Sequence, residues 1–176
     1  MNLPNKLTLL RIILIPVFIV VLMRESYFAS AGIFIAASAT DALDGHIARK
    51  YNLITNFGKI MDPLADKLLV TSALVCLVEL SQVPGWMVIV ILAREFIITG
   101  LRAVAAGDGV IIAAGKSGKL KTVLQMTALA IILLQNWPFA LFTDLDVGRI
   151  VLWAAVVMTI YSGVEYIVKN KKVFSM

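Results

Sequence analysis

Long runs of Ile, Leu, Val, Ala and Phe along the chain are broken by short clusters of Lys, Arg, Asp, Asn, Ser and Gly. A helix that crosses a bilayer needs about 20 predominantly apolar residues. Six segments fit that pattern, at 7–23, 28–49, 62–80, 84–105, 119–136 and 147–168. The pattern predicts an all-α, polytopic membrane protein with six transmembrane helices. So many spans leave no room for a second unit, so residues 1–176 are read as a single membrane domain. Pro4, Pro63, Pro84 and Pro138 fall near predicted helix ends, where a missing N–H costs little. Pro16 lies inside the first span and is expected to kink it.

Composition supports the bilayer over an aqueous core. The chain is 60% hydrophobic and 15% charged, with a mean hydropathy of +0.93. Soluble domains are about 45–50% apolar and about 25% charged, and a small domain cannot bury such an excess in one core. A single cysteine, Cys76, excludes an internal disulfide or a cysteine cluster, and a single histidine, His46, argues against a His/Cys zinc site. The formal charge of +5 suits anionic lipid or a phosphorylated substrate. Nucleic acid is not expected, because no basic domain exists outside the apolar segments. Ala29-Ser30-Ala31 after an apolar stretch imitates a signal-peptide cleavage site. The five spans that follow anchor the chain regardless, so that reading is set aside.

Lys and Arg set the orientation. With the N-terminus inside, Lys6, Arg11, Arg49, Lys50, Lys59, Arg102, Lys116, Lys119, Lys121, Lys169, Lys171 and Lys172 fall at or near the cytoplasmic surface. Only Arg24 and Arg149 fall on the other side, while Lys67 and Arg94 lie within spans. Both termini are therefore expected in the cytoplasm.

The stretch DALDGHIARKYNLITNFGKIMDPLADK, residues 41–67, puts Asp41, Asp44, Asp62 and Asp66 at the cytoplasmic ends of the second and third spans. An intramembrane carboxylate is costly and usually functional. At 100° per residue, Asp41, Asp44, Gly45, Ala48 and Arg49 fall within about 140° of one helix. Asp62 and Asp66, one turn apart, share a face of the next. If the two faces meet, the four carboxylates converge and need cations between them. Oxygen ligands favour Mg²⁺ or Mn²⁺, and four carboxylates suit two such ions about 4 Å apart, an arrangement used in phosphoryl transfer. Gly45 and Ala48 leave room for a flat or phosphorylated ligand, Arg49 can bind phosphate in a fork, and Gly58 allows close backbone approach. His46 points away from the aspartate sector and is read as interfacial.

These residues form the pattern Asp41-x2-Asp44-Gly45-x2-Ala48-Arg49-x8-Gly58-x3-Asp62-x3-Asp66, which resembles the signature of the CDP-alcohol phosphotransferases position for position. Three further stretches, NLPNKLTLLR at 2–11, AREFIITGLR at 93–102 and GKLKT at 118–122, are similar to the members that use sn-glycerol 3-phosphate as acceptor. The resemblance implies a six-span homodimeric membrane fold in the cell membrane, with its active site facing the cytoplasm. It implies that the 1-hydroxyl of glycerol 3-phosphate attacks the β-phosphorus of CDP-diacylglycerol and that CMP leaves. Asp41, Asp44, Asp62 and Asp66 would hold two divalent cations, and Asp66 would also serve as base. Thr8, Arg11, Gly45, Ala48, Arg49 and Gly58 would bind CDP-diacylglycerol.

The acceptor pocket is read from spacing. Glu95 and Arg102 are seven residues apart on one helix face, with Thr99 near it, whereas Arg94 points about 100° away from Glu95. Arg94, Glu95, Arg102, Lys119 and Lys121 are the candidate acceptor-phosphate residues; the two lysines read equally well as a solvated positive-inside loop. Trp86, Trp137 and Trp153 suit interfacial belts or packing, and Lys169, Lys171 and Lys172 suit anionic headgroups. The signature serves the CDP half alone, so phosphatidylglycerol, as in the family's cardiolipin synthases, remains an alternative acceptor. A transporter would place its polar groups near the midplane with repeat symmetry; here the acids crowd one face and no repeat is visible.

Overall fold

The computed structural model describes residues 3–50, 56–107, 109, 112–113 and 115–171, with side chains described for 7–40, 61–107, 109, 112–113 and 115–171. Six α-helices account for most of them: α1 Leu3–Met23, α2 Tyr27–Lys50, α3 Asn56–Glu79, α4 Gly85–Gly107, α5 Lys116–Leu133 and α6 Val147–Lys169. A three-residue 3-10 turn, Phe139–Leu141, lies between α5 and α6. No strand occurs among the described residues. Each helix falls on one predicted apolar segment.

The main departure is at α3, which begins at Asn56 rather than at 62, so that Pro63 lies inside the helix. Proline at that point removes one i→i−4 hydrogen bond. The helix runs through it because contacts on both sides hold the two segments. Thr8 donates to Asp62 just before the proline, and Lys67 donates to Thr99 one turn after it. The Ala29–Ala31 stretch lies within α2, with Ser30 and Ala31 buried.

The interior is built from one stripe per helix. On α1 the buried positions are Thr8, Arg11, Ile15, Phe18 and Leu22, spaced alternately three and four residues apart. On α5 they are Lys121, Gln125, Ala128, Leu129, Ile132 and Leu133. Such spacing keeps a single face inward over several turns. The apolar ends of the stripes meet in one core that contains Phe18, Phe34, Leu74, Leu77, Met87, Leu129 and Leu152. The Phe18 and Phe34 rings are tilted, with centroids 6.1 Å apart. α5 packs most extensively on α6, and α1 lies against α2 and α3.

The outward faces are apolar as well: Ile13, Val17, Phe28, Ile89, Phe96, Val123, Val157 and Ile160 are all exposed. Among the described residues, one helix, Val147–Lys169, is long and apolar enough on its own to cross a membrane. Leu7–Met23 and Tyr27–Thr40 are shorter apolar runs, and the other helices carry charges within their length.

Candidate functional site

Thr8 meets Asp62, Lys67 meets Thr99 and Ser117 meets Glu165, so the starts of α1, α3 and α5 gather with the later turns of α4 and α6 at one end of the bundle. Asp62 and Asp66 stand there, half-buried, one turn apart on α3. The Thr8 hydroxyl, itself 1% exposed, donates to Asp62 Oδ1 at 2.5 Å. Arg11, one turn along the same stripe of α1, is 2% exposed, too buried for a side chain that merely anchors a helix in the interface. Asp41, Asp44, Gly45, His46, Ala48 and Arg49 ride on the last turns of α2, and Gly58 on the first turn of α3; their side chains lie outside the described residues. No cluster of three or more acidic, His or Cys side chains occurs among the described residues. The described part of the predicted set, Asp62 and Asp66 with the Thr8 hydroxyl beside them, offers oxygen atoms only, which fits a hard divalent cation rather than zinc or copper.

A cavity of about 560 Å³ opens between α4, α5 and α6. Of the predicted acceptor residues, Arg94, Glu95, Arg102 and Lys119 line it. The helical wheel separates Arg94 from Glu95, yet Arg94 Nη1 donates to Glu95 Oε1 at 3.0 Å. A wheel fixes only the Cα–Cβ directions, and a long guanidinium stem can fold back across them. Arg102 is partly committed: its Nε and Nη2 donate to the Ile112 carbonyl at 3.2 and 3.0 Å, holding the connection between α4 and α5.

Lys121 departs from expectation. It is not on the cavity wall and not in a solvated loop; it is 2% exposed and donates to Glu95 Oε1 at 2.5 Å. Glu95 Oε1 therefore accepts from two cations, Arg94 and Lys121. Buried charges persist where they are paired in this way. A second cavity of about 70 Å³ is lined by Asp66, Lys67, Glu95, Lys121 and Gln125, among others. Glu95 and Thr122 line both cavities. The aspartate side and the basic cavity are thus neighbours across one carboxylate.

Sequence reasoning missed the contribution of α6. Ser162, Glu165, Tyr166 and Lys169 line the larger cavity. Glu165 accepts from Ser117 and, at 2.5 Å, from Lys169. The signal was present: Thr159, Ser162, Glu165 and Tyr166 form a polar strip at helical spacing on an otherwise apolar helix. Lys169, predicted to meet headgroups, also lines this cavity.

A model of the CDP-alcohol phosphatidyltransferase family matches residues 1–161. The chain belongs to the CDP-alcohol phosphatidyltransferase family. It is 48% identical to the CDP-diacylglycerol–glycerol-3-phosphate 3-phosphatidyltransferase of Bacillus subtilis (strain 168), over 96% of this chain and 95% of that protein. The protein of the same name from Rickettsia bellii (strain RML369-C) is 45% identical, over 98% of this chain and 97% of its own. A probable phosphatidylglycerophosphate synthase of Mycobacterium tuberculosis (strain H37Rv) is 39% identical, over 96% and 81%.

Proposed function

We propose that this chain is a CDP-diacylglycerol–glycerol-3-phosphate 3-phosphatidyltransferase, forming phosphatidylglycerol phosphate and CMP. The observation that carries this reading is the adjacency just described. Asp66 lies on a small cavity that shares Glu95 with a basic cavity of about 560 Å³, large enough for a phosphorylated glycerol. The names of the relatives support the same substrates.

In the reaction, the glycerol 3-phosphate 1-hydroxyl gives its proton to Asp66 as its oxygen attacks the β-phosphorus of CDP-diacylglycerol. The bond from that phosphorus to the bridging oxygen breaks, and CMP departs with the electron pair. Asp41, Asp44, Asp62 and Asp66 would hold two divalent cations, Mg²⁺ or Mn²⁺, which when bound neutralise the diphosphate and its developing charge. Thr8 orients the Asp62 carboxylate by its hydrogen bond. Arg11, Gly45, Ala48, Arg49 and Gly58 complete the CDP side. Arg94, Arg102 and Lys119 present donors to the acceptor's phosphate. Glu95 would repel that phosphate if bare; held by Arg94 and Lys121, it serves instead to fix both cations in place.

All six helices are taken to span the cell membrane, with the aspartate end toward the cytoplasm and two copies forming a homodimer. The helices are 18 to 24 residues long, or about 27–36 Å at 1.5 Å per residue, which matches a hydrocarbon core of about 30 Å. Apolar outward faces on every side fit lipid as solvent. The one cysteine, Cys76, is buried, so a cysteine introduced at Asn52 reports topology cleanly. It should resist an impermeant thiol reagent added outside intact cells; ready labelling would reverse the orientation.

One assay tests the activity: purified protein, CDP-diacylglycerol and Mg²⁺, with glycerol 3-phosphate, phosphatidylglycerol, serine and inositol phosphate offered in turn. CMP release is expected with glycerol 3-phosphate, and chelation by EDTA should abolish it until Mg²⁺ or Mn²⁺ is restored. Turnover with phosphatidylglycerol alone would make the chain a cardiolipin synthase.

A further inference from the structure

Arg94 crosses from α4 toward the cavity between two glycines on two other helices. A Cβ at Gly118 of α5 would lie 3.3 Å from Arg94 Nη2, and a Cβ at Gly163 of α6 would lie 3.2 Å from Arg94 Cγ. Both distances are shorter than ordinary van der Waals contact. One glycine flanks the tip of the side chain and the other its stem. Neither has a positive φ, and alanine is the better helix former at both positions. The backbone therefore gives no reason for glycine there; the space taken by Arg94 does.

The chemistry of the guanidinium gives the slot a purpose. Nη1 is engaged by Glu95 Oε1 at 3.0 Å. Nε is buried and has no hydrogen-bond partner among the described residues. The other terminal nitrogen, Nη2, carries further donors of the kind that bind phosphate oxygens. Arg94 lines the basic cavity, as do Gly118 and the side chain of Tyr166, whose buried hydroxyl also lacks a partner among the described residues.

We propose that Gly118 and Gly163 are positioning residues that form a slot for Arg94, holding its guanidinium at the cavity for the phosphate of the acceptor. This rests on the acceptor reading above and adds two residues to it. A methyl group at Gly163 displaces the stem, and one at Gly118 displaces the tip. Among the described residues, a Cβ at either glycine would meet Arg94 and neither Asp62 nor Asp66, so the donor half of the reaction is expected to be spared.

The test uses the full-length protein in detergent. Initial rates of CMP release and calorimetric binding of glycerol 3-phosphate are measured for the unaltered chain, Gly118→Ala, Gly163→Ala and Arg94→Ala, and for each glycine variant combined with Arg94→Ala. Gly32→Ala is the control, because a Cβ there meets nothing within 4 Å. Each glycine variant should weaken glycerol 3-phosphate about tenfold, the scale of one charge-assisted contact, while the KM for CDP-diacylglycerol stays within about twofold. In the Arg94→Ala background the glycine substitutions should add nothing, since they act through the removed side chain. Unchanged affinity in both glycine variants, or effects that multiply in that background, would overturn the slot. Should Gly163→Ala fail to fold, Gly118→Ala on the other helix carries the same decision. If the unaltered protein turns over no glycerol 3-phosphate, the proposed activity falls; the slot is then judged on calorimetry with inorganic phosphate, by the same comparison.

Discussion

The two ends of this bundle are built on the same helical stripes and differ in what those stripes carry. On α1 the inward positions pass from Thr8 and Arg11 to Ile15, Phe18 and Leu22; on α5, from Lys121 and Gln125 to Leu129, Ile132 and Leu133. On α6 the order is reversed, from Gly148, Leu152 and Val156 to Ser162, Gly163 and Tyr166, because the helix runs the other way. At the apolar end the helices close tightly. A Cβ on Gly148 would lie 2.7 Å from Ile132 Cγ1, and Trp86 meets Trp153 with ring centroids 5.1 Å apart. Asn136 ties the two helices there, its Oδ1 accepting from the Gly148 amide at 2.7 Å and its Nδ2 donating to Asp146 at 3.1 Å. At the polar end, paired charges hold the helices apart and leave cavities of about 560 and 70 Å³. One end is closely packed and the other leaves room.

That contrast breaks most sharply at an aspartate. Asp62→Asn should lower CMP release at least about a hundredfold, the scale of losing one group that acts on developing charge, with thermal unfolding in detergent nearly unchanged. A large loss of thermal stability would mean that Asp62 belongs to the scaffold. The complementary change is Gly148→Ala at the closed end. Overpacking there should cost about 2 kcal/mol of stability, read as a lower unfolding temperature, while the rate per folded molecule is kept. A variant as stable as the parent would show that α5 and α6 can separate without penalty.

Two smaller effects sharpen the comparison. Arg102→Ala should raise the KM for glycerol 3-phosphate about tenfold, through a lost charge-assisted donor and a loosened α4–α5 connection, and leave the KM for CDP-diacylglycerol alone. Equal changes in both constants would move Arg102 to the donor side. Asp146→Ala removes an N-cap whose carboxylate accepts from the Arg149 amide at 3.0 Å. It should cost about 1 kcal/mol of stability with no change in either KM. An altered acceptor KM would show that the closed end is coupled to the site.

Much of this was legible along the chain. Apolar runs bounded by charges located all six helices, because helix length and hydropathy are local properties. The spacing of the aspartates put Asp41 with Asp44 and Asp62 with Asp66 on shared faces, because i,i+3 and i,i+4 positions share a face whatever the neighbours do, and the residues around them resemble the signature of the family that the family match shows. Helix ends were less legible. Pro63 by itself marks a helix start, but α3 runs through it, with Thr8 bonded to Asp62 on one side and Lys67 to Thr99 on the other. Glu25, Ser81, Gln135 and Asn136 take positive φ with no glycine to announce the turn.

What the chain could not specify is which long side chains meet. Arg94 and Glu95 diverge on a wheel and pair in space; Lys121 resembles a loop lysine and is buried on Glu95. A polar strip on α6 joins the larger cavity, and two glycines on α5 and α6 flank an arginine of α4. Periodicity determines the face on which a side chain starts. The packing of four helices from distant parts of the chain decides where a flexible cation ends, because only there do its carboxylate partner and the space for its stem exist together.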